Sequence, residues 1–160
     1  MEFFKVLEKR HCCRDFNPNK SVNNNLIEKI IKAGKMAPSA GGIYPVEFAV
    51  ISDQSLKEKL TDTTTHVIRR MDFIAQAPFA VVIYADVQKT AARYSNRGRD
   101  LYVIQDAAAA AENIFLSVTA LGLDTCWVGA FDESEVRKVL KLKTNERPMV
   151  IMPIGYKKNW

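Results

Sequence analysis

Apolar residues recur at three- and four-residue intervals over several stretches of the chain, a spacing typical of amphipathic helices. Phe3, Phe4 and Leu7 place such a stripe on residues 2–10. A second helix is predicted from Asn24, as its cap, to Lys35, and a third, capped by Ser52, contains Leu56 and Leu60. The longest covers residues 101–121, with Asp100 as its cap and Gly122 at its end. A further helix follows Asp132 and Glu135 and contains Val136, Val139 and Leu140, and residues 63–75 are another candidate.

Short runs of β-branched and aromatic residues predict strands. The clearest is Phe79–Tyr84, a continuous apolar run that is typical of a strand covered on both faces. Further strands are predicted at Phe48–Ile51, Thr125–Val128 and Met149–Ile154. Strands and helices mix without a regular strand–helix–strand repeat, which favours an α+β fold over a doubly wound sheet. Residues 1–160 contain no linker-like stretch, so a single domain is expected.

Composition narrows the protein class. Lysine and arginine number 23 against 18 acidic residues, giving a net charge of +5. This mild excess suits an anionic small ligand and is weak evidence for nucleic acid. Three cysteines, two of them adjacent, do not make a disulfide framework and predict reduced thiols in a cytoplasmic protein. The chain shows neither a signal peptide nor 18 consecutive apolar residues, so no membrane partner is expected.

Several familiar chemistries lack their motifs. The sequence contains no glycine-rich phosphate loop of the dinucleotide-binding or P-loop type, and no GxSxG elbow. The two histidines and three cysteines are not spaced as metal ligands, so no metal is predicted. A Cys–His nucleophile from Cys12 or Cys13 with His66 has no spacing that supports it.

Three segments carry residues that suit a ligand. Lys9–Phe16 concentrates basic residues at the end of a helix. The segment is either a solvated turn that suits the helix C-terminus or a site that binds an anion. Ala37–Gly42 combines small residues, as a plain loop or as a surface that lets backbone approach a flat ligand. Thr125–Phe131 is a strand that runs into a glycine turn. The turn either offers its backbone N–H groups to a ligand or is simply the end of the strand. Each segment alone leaves both interpretations open.

Taken together, these segments resemble the motifs of the FMN-dependent nitroreductase family. That family's opening R-[RH]-S-x-[RK]-x-F motif matches Arg10–Phe16, and its A-P-S-[AS]-x-N-x-Q-P motif begins at Ala37. The chain also follows the family pattern over Ile104–Ile114, Ala120–Phe131 and Pro148–Tyr156. The matches occur in the family's order over essentially the whole chain.

The resemblance implies an α+β fold with a central mixed, mostly antiparallel sheet flanked by helices, and a homodimer with FMN at its interface. It implies no catalytic side chain, because the flavin carries electrons from NAD(P)H to a nitroaromatic, quinone or related acceptor. Carried over by position, Arg10, His11 and Cys12 would hold the phosphate and ribityl side, Arg14 would face the pyrimidine edge, Pro38, Ser39 and Ala40 would reach the flavin from the partner subunit, and Gly129 and Ala130 would offer N–H groups near flavin N5.

The chain departs from the family pattern at several positions. Cys12 stands where the family has serine, and Gly42 and Tyr44 stand where it has asparagine and glutamine. These changes motivate the alternative of a flavin-binding or flavin-storage protein with little turnover. After Tyr156 only Lys157, Lys158, Asn159 and Trp160 follow, so those lysines are either solvated or a substitute for a phosphate contact that many relatives place in a longer tail. Tyr94, Arg97, Arg99 and Tyr102 form a basic, aromatic group that binds the nicotinamide nucleotide or is an exposed loop.

Overall fold

Four strands form one sheet in the order β1-β2-β4-β3 in the computed structural model, which describes residues 2–158. The strands are β1 (Val46–Ile51), β2 (Phe79–Asp86), β3 (Asp124–Thr125) and β4 (Glu146–Gly155). The helices are α1 (Phe3–Lys9), α2 (Asn24–Lys35), α3 (Gln54–Asp62), α4 (Phe73–Gln76), α5 (Val87–Arg97), α6 (Val103–Ala120) and α7 (Glu133–Leu140), with a 3₁₀ turn at Ala40–Gly42 and a π-helical turn at Gly98–Tyr102.

All three strand pairs are antiparallel, and the parallel pairing found within residues 2–158 is the isolated bridge between Cys12 and Thr125. Successive side chains of β2 point to opposite faces, and both faces are covered. Ala80 and Val82 pack with residues of α3, α4 and α7, whereas Phe79, Val81 and Ile83 pack with α2 and α6. This burial explains the continuous apolar run of β2 and confirms the predicted α+β class.

Helix α6 crosses the face of the sheet that α2 also covers. Asn113 donates from Nδ2 to the carbonyl oxygen of Ala33, 3.1 Å away. Gly34 lets the two helices close on β1, since a Cβ there would lie 2.8 Å from the Phe48 ring. The helix ends at Leu121, followed by Gly122 with a φ of +74°, as the sequence predicted.

Three predicted caps are wrong. Asn23 rather than Asn24 caps α2, and its side chain accepts from the Asn25 N–H. Asp53 rather than Ser52 caps α3, because its carboxylate reaches the Leu56 N–H at 2.8 Å. Asp100 caps nothing: it lies within the π-helical turn, which runs straight into α6.

Other elements differ in extent from the prediction. Residues 63–72 form turns before the single-turn α4, instead of one helix over 63–75. The strand predicted at Thr125–Val128 shrinks to β3, because Val128 pairs separately with Ile151. Residues 87–97, which gave no helical signal, form α5. Asp132 does cap α7, by accepting from the N–H groups of Ser134 and Glu135.

Among the described helices none has the length and apolarity to cross a bilayer.

Lys57 on α3 is an unusual core residue, 4% exposed. Its Nζ donates to the carbonyl oxygens of Ala75 and Ala77, at 3.3 and 2.5 Å. Burial lowers the pKa of this amine, because the charged form loses its hydration. The side chain thereby fixes the chain between α4 and β2.

Replacing Lys57 with alanine is expected to lower the free energy of unfolding by about 1–3 kcal/mol, since two buried carbonyl oxygens lose their donor. The pKa of Lys57 is lowered in the folded protein and is about 10.4 in the unfolded chain. Between these two values the unfolded chain binds one proton more than the folded protein, so the stability of the wild type relative to the variant should rise with pH. Urea unfolding at neutral and alkaline pH measures both effects. Lys59→Ala, at an exposed position of the same helix, is the control; equal losses in the two variants would contradict the role of Lys57.

Candidate functional site

Residues 10–17, which we call the Arg10 strip, run in an extended conformation beside the edge strand β3. The Cys13 N–H donates to the Thr125 carbonyl at 2.8 Å, and the Asn17 N–H to that of Tyr156 at 2.9 Å. Cys13 and Phe16 point into the core, with exposures of 4% and 1%. Cys12 and Arg14, two residues apart, are exposed to solvent.

The strip carries two arginines and a histidine, and a carboxylate lies beside two of these three side chains. Arg10 lies over the Phe115 ring at 5.1 Å and has its Nε 3.7 Å from the Glu112 carboxylate. His11 Nε2 lies 3.5 Å from Asp124 Oδ1. Arg14 makes no hydrogen bond or ion pair with any residue between 2 and 158. Its guanidinium is therefore available to an external anion.

The C-terminal lysines run beside the same strip. Lys157 forms a bridge with Phe16, and its N–H donates to Asp124 Oδ2 at 3.0 Å. The Lys158 N–H donates to the Asp15 carbonyl at 3.1 Å. Burial raises the pKa of the Cys13 thiol, and the nearby Lys157 ammonium acts in the opposite direction. Lys157 thus adds its charge to the Arg10 strip, whereas Asn159 and Trp160 lie outside the described residues.

Cys126 lies against the strip from the other side. Burial raises the pKa of its thiol to about 12, helped by the charge and hydrogen bond of Cys12 and opposed by Arg14. The thiols of Cys13 and Cys126 consequently stay protonated at neutral pH and are poor nucleophiles. The contact also places Cys12 and Arg14 beside the residue that leads into Trp127 and Gly129.

Beyond Cys126 a cleft of about 270 Å³ opens around Gly129. Its walls combine small residues with aromatic ones: Ile104, Ala107, Ala108, Trp127, Gly129, Phe131, Glu133, Arg147, Pro148, Met149 and Val150. Val128 exchanges two hydrogen bonds with Ile151, at 3.0 and 2.9 Å, which fixes the backbone just before the turn. The N–H groups of Gly129 and Ala130 have no acceptor within residues 2–158. They remain available to a ligand in the cleft.

The Pro38–Tyr44 loop is fastened to α6 by one buried carboxylate. Ser39 Oγ donates to Asp106 Oδ2 at 2.7 Å, and the Ala40 N–H donates to Oδ1 at 3.0 Å. The Tyr44 N–H in turn donates to Ser39 Oγ at 2.9 Å. Asp106 is 6% exposed. Sequence reasoning did not assign it to the site; its position at the start of the matched Ile104–Ile114 motif was the available signal.

The end of this loop presents an aromatic ring to solvent. Gly41, Gly42 and Tyr44 all have positive φ values, of 60°, 67° and 52°. The Tyr44 side chain is 60% exposed, at the rim of a cavity of about 280 Å³ that Phe48 and Asp106 help to line. Tyr44 therefore does not fill a gap in the core.

Helix α6 separates the predicted site residues into two groups. With 3.6 residues per turn, Ile104, Ala108 and Glu112 face one side of the helix, and Asp106 and Asn113 face the other. The Gly129 cleft and the Arg10 strip contact the first side. The Ser39 loop contacts the second. One chain therefore brings Arg10, His11, Cys12 and Arg14 together with the Gly129–Ala130 turn, but not with Pro38, Ser39 and Ala40.

Comparison with known proteins shows the family to which the chain belongs. The sequence model of the Nitroreductase family matches residues 7–67 and 64–156. An Archaeoglobus fulgidus protein named NADH dehydrogenase/NAD(P)H nitroreductase is 30% identical, over 99% of this chain and 87% of its own. A nitroreductase family protein from Clostridium novyi NT superposes with a TM-score of 0.89 at 26% identity, covering 99% of this chain and 87% of its own. An FMN-dependent nitroreductase from Clostridium difficile R20291 gives 0.84 at 28%, covering 98% and 88%. This chain belongs to the nitroreductase family.

Proposed function

We propose that this protein is an FMN-dependent oxidoreductase, working as a homodimer, that passes electron pairs from NAD(P)H to a small nitroaromatic, quinone or related acceptor. One observation carries the proposal: the strip of basic residues and a cleft with two N–H groups that have no acceptor within residues 2–158 lie on one side of α6. The names of the relatives that use NAD(P)H and FMN support it.

The residues present suit FMN at both of its ends. Arg10 and Lys157 supply positive charge where a phosphate needs it, and the His11 ring lies beside them. The cleft supplies small side chains, Ala107 and Ala108, that allow a flat ring to lie close to α6. Ala108 and Phe115 are seven residues apart, so cleft and cations are separated by about 10 Å along the helix.

FMN, when bound, supplies the two-electron chemistry, and the protein contributes position and charge. We assign the phosphate and ribityl side to Arg10, His11 and Cys12. The free guanidinium of Arg14 favours negative charge on a nearby ring, which raises that ring's reduction potential. The N–H groups of Gly129 and Ala130 are held by the Val128–Ile151 pair and offer fixed donors.

The separation that α6 imposes supports a dimer. Pro38–Ala40 cannot reach its own chain's cleft around the helix, so in our proposal it covers the cleft of the partner subunit. α1 offers an uncovered apolar surface for such an assembly, since Phe3 is 60%, Phe4 66% and Leu7 39% exposed. We infer that these side chains are buried between subunits.

The proposal is tested by the visible absorption spectrum of the purified protein, followed by anaerobic addition of NADH or NADPH. Flavin absorption that bleaches supports the oxidoreductase and identifies the donor. Flavin absorption that persists favours the alternative of a flavin-storage protein. A colourless protein that also fails to bind added FMN would overturn the assignment of the Arg10 strip and the Gly129 cleft.

Cys12→Ser is expected to tighten FMN binding about three- to tenfold. A hydroxyl is a stronger hydrogen-bond donor to phosphate than a thiol, and one such bond contributes about 0.5–1.5 kcal/mol. The dissociation constant of FMN, measured by fluorescence titration, tests this. Cys12→Ala is the control, because it removes the thiol without adding a hydroxyl. Equal affinities of the serine and alanine variants would place Cys12 away from the phosphate.

Tyr44→Ala is expected to raise the KM for an aromatic acceptor about three- to tenfold while leaving FMN affinity unchanged, because an exposed ring stacks on the acceptor and contributes about 0.5–1.5 kcal/mol. Steady-state kinetics with a nitroaromatic and with a non-aromatic acceptor measure the effect. Tyr44→Phe keeps the ring and should retain the wild-type KM. An equal rise for both acceptors would speak against stacking.

A further inference from the structure

Five side chains at the end of α5 and in the π-helical turn form a group that the proposed chemistry does not use. We call it the arginine–tyrosine cluster: Arg93, Tyr94, Arg97, Arg99 and Tyr102. Three guanidinium groups and two phenol rings lie within ten positions of the chain. Lys89 precedes them, and Asp100 is the acidic residue within the group, 3.5 Å from Arg99.

The rings and guanidinium groups are stacked on one another. The Tyr94 and Tyr102 rings meet edge to face at 5.1 Å and 84°. Arg97 Nε donates to the Tyr102 hydroxyl at 2.9 Å, and its guanidinium lies 5.3 Å from the centre of that ring. Arg93 lies 5.3 Å from the Tyr94 ring. One arginine is therefore fixed beside each ring, and within residues 2–158 Arg97 uses one N–H donor, on the Tyr102 hydroxyl.

The backbone under the cluster adopts conformations that proteins seldom use. Ser95 has φ 51° and ψ −136°, and residues 98–102 form a π-helical turn. Gly98 packs so closely that a Cβ would lie 2.4 Å from the Thr90 carbonyl oxygen. Strained residues and π-helical turns concentrate at functional sites. Arg97 and Tyr102 lie on either side of Gly98, within or next to this turn.

The cluster also touches the loop that we assign to the flavin. Arg93 Nη1 donates to the Gly41 carbonyl at 3.0 Å. A Cβ on Gly41 would lie 2.5 Å from the Tyr94 hydroxyl. A molecule on the cluster would consequently sit next to the Ser39–Tyr44 loop, at the mouth of the site that this loop covers.

We propose that the arginine–tyrosine cluster binds the adenosine-phosphate half of the NAD(P)H donor. This inference rests on the proposed function. An adenine ring stacks on the face of a tyrosine ring, as bases do on aromatic side chains in other proteins. Guanidinium groups bind phosphate with paired N–H donors. The 5′-pyrophosphate and a 2′-phosphate share this chemistry, and the cluster contacts the Ser39–Tyr44 loop through the Arg93–Gly41 hydrogen bond.

Calorimetric titration of the purified, FMN-supplemented protein with non-redox fragments tests the cluster without turnover. The probes are 5′-AMP, ADP and 2′,5′-ADP. Wild type should bind at least one of them, and the combined variant Arg97→Gln, Arg99→Gln should bind it at least tenfold more weakly. Preference for 2′,5′-ADP over ADP would assign the arginines to the 2′-phosphate, and the reverse to the pyrophosphate. Lys29→Gln, an exposed cation on α2, should bind as wild type does.

Other outcomes would overturn the inference. Unchanged affinity in the double variant would remove the arginines from the site. Tighter binding of a single-stranded oligonucleotide, lost in the same variant and steeply dependent on salt, would identify a nucleic-acid surface instead. Flavin content is read from the absorption spectrum of each sample. A protein that holds FMN but binds no fragment refutes the cluster alone, and a protein without FMN refutes the proposed function.

Discussion

Asp106→Ala is expected to weaken FMN binding about 100-fold. The substitution removes both acceptors that hold Ser39 and Ala40, and each hydrogen bond to a buried carboxylate contributes about 1.5–3 kcal/mol. The loop then loses the position from which it would cover the partner's cleft. The FMN dissociation constant and the melting temperature of the apo protein, measured side by side, separate loss of the site from loss of the fold.

Two further variants test whether Asp106 acts through the loop. Ser39→Ala removes the 2.7 Å bond and the acceptor of the Tyr44 N–H, so it should produce part of the same loss. Gln105→Ala changes the exposed neighbour on α6 and should bind FMN like wild type. An Asp106→Ala protein that melts lower yet binds FMN with wild-type affinity would make the carboxylate purely structural.

The elements that the sequence predicted well are those whose burial follows a simple period. Strand β2 is covered on both faces, so six consecutive apolar residues marked it. Its last residues, Ala85 and Asp86, were missed because they pair with β4 beyond the apolar run. Helix α5 was missed for the opposite reason. Thr90 is its one buried residue, so it has no hydrophobic stripe. Its contacts with Gly41 are made by Arg93 and Tyr94, which are polar.

The site residues that the sequence proposes stay a prediction, and their arrangement in the fold could not be read from the sequence. The Arg10–Phe16 segment is joined by the Cys13–Thr125 hydrogen bond to β3, four residues before Gly129. This segment and the Gly129–Ala130 turn lie on the side of α6 opposite Pro38–Ala40. Which side of the helix a segment contacts depends on long-range packing, and the order of the motifs does not encode it. The free state of Arg14 depends likewise on where Glu112 and Asp124 lie, and these two carboxylates engage Arg10 and His11.

The position of α6 links the proposed cofactor site to the proposed dimer. The same helix presents small residues to the cleft at Ala107 and Ala108 and a carboxylate to the loop at Asp106. A rigid helix between the two groups keeps the loop at a constant distance from its own cleft. FMN binding and subunit association are therefore expected to be coupled, each strengthening the other.

Arg14→Gln is expected to lower the two-electron reduction potential of the bound FMN by about 30–60 mV. In our proposal this guanidinium faces the ring edge that becomes negative on reduction, and a charged hydrogen bond contributes about 1.5–3 kcal/mol, where 30 mV corresponds to about 1.4 kcal/mol. Affinity for oxidised FMN should change less than affinity for the reduced form. Equilibration with reference dyes under nitrogen gives the potential.

The matched variants decide whether the charge of Arg14 is responsible. Arg14→Lys keeps the charge and should recover most of the potential, because the electrostatic effect does not require a planar guanidinium. Lys20→Gln removes a cation that lies 3.7 Å over the Tyr156 ring, outside the Arg10 strip, and should leave the potential unchanged. If Arg14→Gln and Lys20→Gln shift the potential equally and Arg14→Lys does not, net charge alone acts on the flavin. If none of the three variants shifts it, Arg14 lies away from the ring and binds the phosphate instead.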